Sequence, residues 1–218
     1  MKRIIIWSIA VVVIIGSFLT IIFASGGESA TVDGSSKQIG KVDPNEWIKG
    51  NAESAVELVE YGDFQCPACA SREVLIKGIL GEFGGHIKFA YRHFPLRSIH
   101  GNADISAQAA EAAGVQGKFW EMHDKIFETQ NEWKDLSVAE AQKLFEGFAT
   151  DLGLDTVQFS SDITSSAVKS SVEEDYESGQ EAQVDSTPSF FLNGAYIQPK
   201  SEEEFRSLIR KAINETTT

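Results

Sequence analysis

A chain of 218 residues, 42% of them hydrophobic, is long enough to bury one good-sized core and to carry a tail. Its formal net charge is −13, and because residues 1–24 hold Lys2 and Arg3 but no acid, the remainder stands at −15, with 17 basic against 32 acidic side chains. That balance excludes nucleic acid as a partner, which needs a basic face, and suits a solvated acidic domain outside the cell.

Residues 1–24 open with Met1-Lys2-Arg3 and continue as an apolar run from Ile4 to Ala24, broken only by Ser8, Gly16, Ser17 and Thr20. About 20 such residues reach across about 30 Å of hydrocarbon. That length favours a transmembrane anchor over a signal peptide, whose apolar core is about 7–15 residues; Ala24-Ser25-Gly26 is the alternative cleavage site. No cysteine stands near the end of the run, so a lipoprotein anchor is excluded. In either case Lys2 and Arg3 stay cytoplasmic and the rest is exported, to the cell surface or periplasm, or secreted if cleaved. Disulfides persist there. Residues 25–42 read as a flexible tether. The folded part is expected over 43–214, with Trp47 and Ile48 on its edge.

Residues 55–62 read as a first central strand, only loosely alternating, as when both faces are covered. They lead into Asp63-Phe64-Gln65-Cys66-Pro67-Ala68-Cys69, which holds the only two cysteines. Residues 70–83 read as a helix ended by Gly84-Gly85. Positions i and i+3 share a helix face, so the two sulfurs can meet with little backbone movement. Sulfur at a helix N-terminus also meets unpaired N–H groups and the positive end of the macrodipole. Both favour the thiolate, the attacking form. Pro67 suits the first turn, where its missing N–H is no loss. Zinc commonly needs four ligands, and His86, His93, His100 and His123 show no ligand spacing to one another, so no metal is expected. A purely structural disulfide across so short a loop would stabilise least. Redox chemistry is left, with the sulfurs carrying the electrons and no cofactor required.

Residues 86–94 read as a second strand stopped by Pro95, with His86 and His93 as surface or packing residues. From about 101 to 183 the periodicity is helical. Ala103, Ala107 and Ala110 share one face; Phe119, Trp120, His123, Ile126 and Phe127 share another. Ser137 and Glu140 form a capping box opening a helix with Val138, Ala141, Leu144, Phe145, Phe148 and Leu152 inward, ended by Gly153. Asp155 caps a short helix carrying Val157 and Phe159, and a polar helix from about 162 to 183 returns the chain. Thr187-Pro188 then precedes Ser189-Phe190-Phe191-Leu192-Asn193-Gly194-Ala195-Tyr196-Ile197, where Asn-Gly between apolar runs predicts a tight hairpin. Pro188 must sit at a strand start. Ser201 and Glu204 form a second capping box, opening a closing helix with Phe205, Leu208, Ile209 and Ala212 inward.

Four motifs, in this order, resemble the DsbA family of thiol-disulfide oxidoreductases: Phe64-x-Cys66-Pro67-x-Cys69 behind a strand ending in Glu60-Tyr61, Ala109-Ala110-Glu111-Ala112-Ala113, Phe119-Trp120-Glu121-Met122-His123-Asp124, and Thr187-Pro188-Ser189-Phe190-Phe191. The likeness covers roughly residues 43–214. It implies an α/β, thioredoxin-like fold: a central mixed sheet flanked by helices, with an inserted all-helical subdomain over about 101–183. It implies that Glu60 lies beneath the cysteines, where burial would raise its pKa and let it take the proton of Cys69; the plainer reading is a half-exposed strand-end glutamate. It implies that Pro188 lies in a cis-proline loop facing the cysteines, although only about 5–6% of X-Pro bonds are cis. Thr187 would then offer its backbone to an incoming peptide.

By the same likeness, reduced exported proteins are the substrates. A quinone-linked membrane oxidoreductase of the DsbB or vitamin K epoxide reductase type recycles the enzyme, which is expected to be a monomer. One residue departs from the pattern. Ala68 stands where the best-known DsbA motif has histidine, and it can neither hydrogen-bond nor lend charge to a Cys66 thiolate. A less stabilised thiolate means a less oxidising disulfide. A reductase or isomerase therefore stays open beside the oxidase; against an isomerase, no dimerisation segment precedes the domain. A non-catalytic peptide-binding module at Thr187-Pro188 is a further alternative.

Overall fold

The chain runs β1 (Ile48–Gly50), β2 (Glu57–Gly62), α1 (Pro67–Phe83), β3 (Lys88–His93), α2 (Ala103–Val115), α3 (Phe119–Glu128), α4 (Gln130–Trp133), α5 (Val138–Asp151), α6 (Thr156–Asp162), α7 (Ser166–Glu181), β4 (Ser189–Leu192), β5 (Ala195–Ile197) and α8 (Glu202–Thr216). The structure is a computed structural model that describes residues 37–216. The apolar run of residues 1–24 and residues 25–36 of the tether lie outside the described residues. No helix among the described residues is long and apolar enough to cross a membrane.

The five strands form one mixed sheet in the order β1-β3-β2-β4-β5. β2 pairs parallel with β3 and antiparallel with β4, and the outer pairs are antiparallel. A central strand covered on both faces needs apolar side chains on both, which accounts for the weak alternation of β2. Leu58 turns to a core shared with α1 and the inserted helices, while Val59 and Tyr61 turn to a smaller cluster with Phe94, Val184 and Phe191. The α/β, thioredoxin-like reading holds, with six helices inserted between β3 and β4.

Local chemistry sets most element ends. Ser137 Oγ accepts from Glu140 N while Glu140 Oε2 accepts from Ser137 N, so the predicted box caps α5. Asp155 caps α6 by accepting from the amides of Val157 and Gln158. Gly153, at φ +72°, ends α5. Asn193 and Gly194, at φ +50° and +81°, make the predicted two-residue hairpin between β4 and β5.

Four expectations need correction. β1 precedes the strand read as first; three residues are too few for a periodic signal. Val138, expected inward, is 50% exposed, and Val157 is 82% exposed. Both sit in the first turn of their helices, ahead of the residues that pack. The second capping box is only half made. Ser201 Oγ accepts from Glu204 N, but Glu204 Oε2 reaches one residue further back, to Lys200 N. The end of the expected tether belongs to the domain: Gln38 bridges to Ala195, Ile39 N donates to Gly194 O, and Val42 is buried. β5 would otherwise leave an open sheet edge, so this strip shields it.

Candidate active site

Cys66 is the N-cap of α1, with extended backbone (φ −72°, ψ 120°), and Pro67 opens the helix. Its amide is tied back to Asp63 O at 3.0 Å. Cys66 is 6% exposed and Cys69, one turn on, is wholly buried. Both are free thiols in this structure. Pro67 and Ala68 lie exposed between them. Across from them the Thr187–Pro188 bond is cis, and the Cys66 thiol donates to Thr187 O at 3.4 Å.

The two sulfurs are electrostatically unlike. Cys66 has its pKa lowered to about 5, first by a hydrogen bond from the Cys69 thiol, against the effect of burial, and then by the Thr187 side chain and the amides of Cys69 and Ala68 at the helix start. The Thr187 carbonyl acts the other way, since it can only accept and so favours the thiol; the donors outweigh it. The buried Thr187 hydroxyl has no hydrogen-bond partner among the described residues, which leaves it free to turn toward a Cys66 thiolate. Cys69 moves the opposite way, raised by burial, by donating to Cys66 and by the Glu60 carboxylate. The arrangement holds a thiolate at Cys66 and the proton on Cys69.

Glu60 lies wholly buried in the middle of β2, between Tyr91 of β3 and Phe190 of β4. Neither of its oxygens has a hydrogen-bond partner. Burial first, then repulsion from Glu73 and from Cys66, raises its pKa well above the usual carboxylate range. The half-exposed alternative is excluded: Glu60 is a buried carboxyl whose field reaches both cysteines.

Sequence reasoning missed Glu73. It lies in the polar stretch Ser71-Arg72-Glu73, yet it is buried on α1, and burial followed by the charge of Asp124 raises its pKa to about 7. Its signal was the spacing: four residues after the buried Cys69, it shares that face of the helix.

The inserted helices pin the motif. Gln130 Nε2 donates to the carbonyl oxygens of Phe64 and Cys66 at 2.7 and 3.0 Å. Gln65 spans from Asn102 N to Lys134 O. Asp63 accepts from Gln65 N through one oxygen, and from Leu96 N and His100 Nδ1 through the other. His86 is exposed, whereas His93 is a buried packing residue bonded to Glu111 at 3.0 Å.

Among the described residues, Glu73, His123 and Asp124 bring ligand atoms within 4.8 Å of one another. The group suits a metal ion poorly. Lys49 and Lys77 each hold an ammonium 3.5 Å from Asp124 Oδ2, and Asp124 Oδ1 accepts from His123 Nδ1 at 3.0 Å. A cation would have to displace two ammonium groups.

A mixed sheet whose central strand runs into a Cys-x-x-Cys at a helix start, faced by a Thr-Pro loop, defines a redox-type thioredoxin fold. The sequence pattern described as Thioredoxin matches residues 42–211. The chain belongs to the thioredoxin family, and its fold is that of the DsbA-type proteins in it. It is similar to BdbD from Bacillus subtilis in its oxidised form, at 23% identity and TM-score 0.69, covering 82% of this chain and 97% of that one. It is also similar to alpha-DsbA1 from Wolbachia pipientis, at 18% identity and TM-score 0.68, covering 81% and 94%. Among curated relatives, a Na(+)/H(+) antiporter NhaA 1 from Salinispora arenicola is 37% identical over 154 residues, 70% of this chain but 22% of the antiporter. The chain spans 22 to 27% of the length of the first curated relatives it matches.

Proposed function

We propose that the chain is an extracytoplasmic thiol-disulfide oxidoreductase that introduces disulfides into exported proteins through Cys66 and Cys69. The observation that carries this reading is the pairing of an acidic thiol at the start of α1 with a buried, proton-holding one a turn later. In the oxidised enzyme a substrate thiolate attacks Cys66 Sγ. The Cys66–Cys69 bond breaks, and Cys69 leaves as a thiolate that takes up a proton, for which Glu60 is the neighbouring buried carboxyl. A second substrate thiolate then attacks its own cysteine's sulfur in the mixed disulfide. Cys66 leaves as the stabilised thiolate, so the substrate loses two electrons and the enzyme gains them. A quinone-linked membrane oxidoreductase of the DsbB or vitamin K epoxide reductase type reoxidises the pair. The apolar run of residues 4–24 holds the domain beside that recycler.

Ala68 favours a second reading, a tethered reductase, because it leaves the Cys66 thiolate without a neighbouring charge from the motif itself. The reduction potential of the pair on the full chain, equilibrated with glutathione, separates the two. A value near about −120 mV marks a strong oxidant, and one near about −270 mV a thioredoxin-like reductase. A Cys66→Ser variant that kept full turnover would sink both.

A further inference from the structure

Beside the cysteines runs a groove of about 320 Å³ lined by Ala68, Arg72, Pro188, Tyr196, Ile197 and Phe205, among others. One end is Ala68, inside the motif, and Pro188, next to the carbonyl that meets Cys66 Sγ. Polar and apolar surface line it in nearly equal parts, no acidic side chain is among the lining residues, and the half-buried Arg72 is the one cation there.

Arg72 differs from the other arginines of the described residues. Arg92, Arg97, Arg206 and Arg210 each meet a carboxylate within 4.0 Å. Among the described residues Arg72 forms no such pair; its charge does act on Glu60, which is buried in β2 and does not line the groove. An unanswered guanidinium is notable in a chain of net charge −13, where a carboxylate is seldom far away. It is a planar donor fork suited to a carboxylate.

We propose that Arg72 selects substrates carrying an aspartate or glutamate in the segment that lies along this groove, next to the reacting cysteine. The inference rests on the redox function proposed above and adds its substrate preference. A substrate sulfur bonded to Cys66 must pass Thr187 and Pro188, and an extended segment continuing along the groove sets its apolar side chains against Tyr196, Ile197 and Phe205. Arg72 is six residues along the helix from Cys66, about 9 Å of axial rise. That equals about two or three residues of extended peptide, which fixes where the carboxylate should stand. The surrounding field works against this choice. A domain so acidic repels anionic peptides at long range, so a preference for acid can only come from a local contact.

The test uses the full chain and three dithiol peptides, identical except for Glu, Gln or Lys at the second residue from the reacting cysteine. The second-order rate of their oxidation should favour Glu over Lys on the order of tenfold at low salt, shrinking as salt is added. Arg72→Ala should bring the ratio within about twofold, Arg72→Glu should invert it, and Arg72→Lys should keep part of it. Removing Arg72 also changes the field at Glu60, but that alters the rate for every peptide alike and leaves the ratio untouched. Binding of the same peptides with serine in place of cysteine reads the preference without turnover, so it stands or falls apart from the redox function. A Lys preference in the natural chain, or a ratio unmoved in Arg72→Glu, overturns the proposal. So does equal binding of the serine peptides.

Discussion

Gln130 Nε2 donates to the carbonyl oxygen of Cys66 at 3.0 Å, joining the inserted helices to the start of the Cys-x-x-Cys motif across 64 residues of chain. A carbonyl at a helix N-cap would ordinarily serve only the first turn, and Cys66 O also takes the amide of Ala70 at 3.2 Å. Gln130 is buried and gives its second proton to Phe64 O. Gln130→Ala therefore strands the carbonyl of Phe64 and leaves that of Cys66 with the Ala70 amide alone. Unfolding in denaturant should become easier by about 1–3 kcal/mol. The variant should also widen the spread of Cys66 reactivity toward a thiol reagent, since the motif loses its brace.

The Cys66 thiolate should titrate near pH 5, followed by ultraviolet absorbance of the reduced protein. Its folded pKa lies below the ordinary thiol value, so the reduced form gains stability that is complete above about pH 9 and is lost as pH falls through about 5. The oxidised form has no such group. The stability gap between reduced and oxidised protein should thus shift in favour of the reduced form as pH rises across that window. Cys69→Ala removes the leading donor and should move the Cys66 midpoint upward.

Glu73 runs the other way. Its pKa rises from 4.5 to about 7 on folding, so its cost is absent below about pH 4.5, grows through pH 7 and levels off above. Glu73→Gln should stabilise the protein at pH 8 by at most about 3 kcal/mol, at 1.36 kcal/mol per unit, and give no gain at pH 4. His123, pushed down to about 4 by burial, adds a separate loss as pH falls below 6.5. Urea midpoints of both proteins across this pH range would check the difference.

Gly194 supplies the positive φ of the β4–β5 hairpin, and a Cβ there would stand 2.9 Å from Ile39 O. Gly194→Ala should cost about 1–2 kcal/mol through strain and the contact together. That is a fall in Tm of several degrees, about 2–4 °C per kcal/mol for a domain of this size. A scanning calorimetry trace unchanged from the natural chain would mean that the strip carrying Ile39 does not hold to β5 in solution.

Local chemistry is what the sequence determined by itself. The Cys66–Cys69 spacing, the Ser137–Glu140 box, the Asn193-Gly194 turn and the stop at Gly153 each depend on residues within a few positions of one another. Their geometry is therefore encoded in spacing alone. Val138 marks where this stops, since periodicity names a helix face but not the turn at which a neighbouring element begins. Only the tertiary structure decided that Glu60 and Glu73 are both buried, that Gln130 braces Cys66, and that Arg72 opens into the groove with no carboxylate among the described residues beside it. A carboxyl's pKa or an arginine's lack of a partner is set by what packs around it. Here those surroundings come from strands, loops and inserted helices far apart in the chain, which no local pattern of residues brings together.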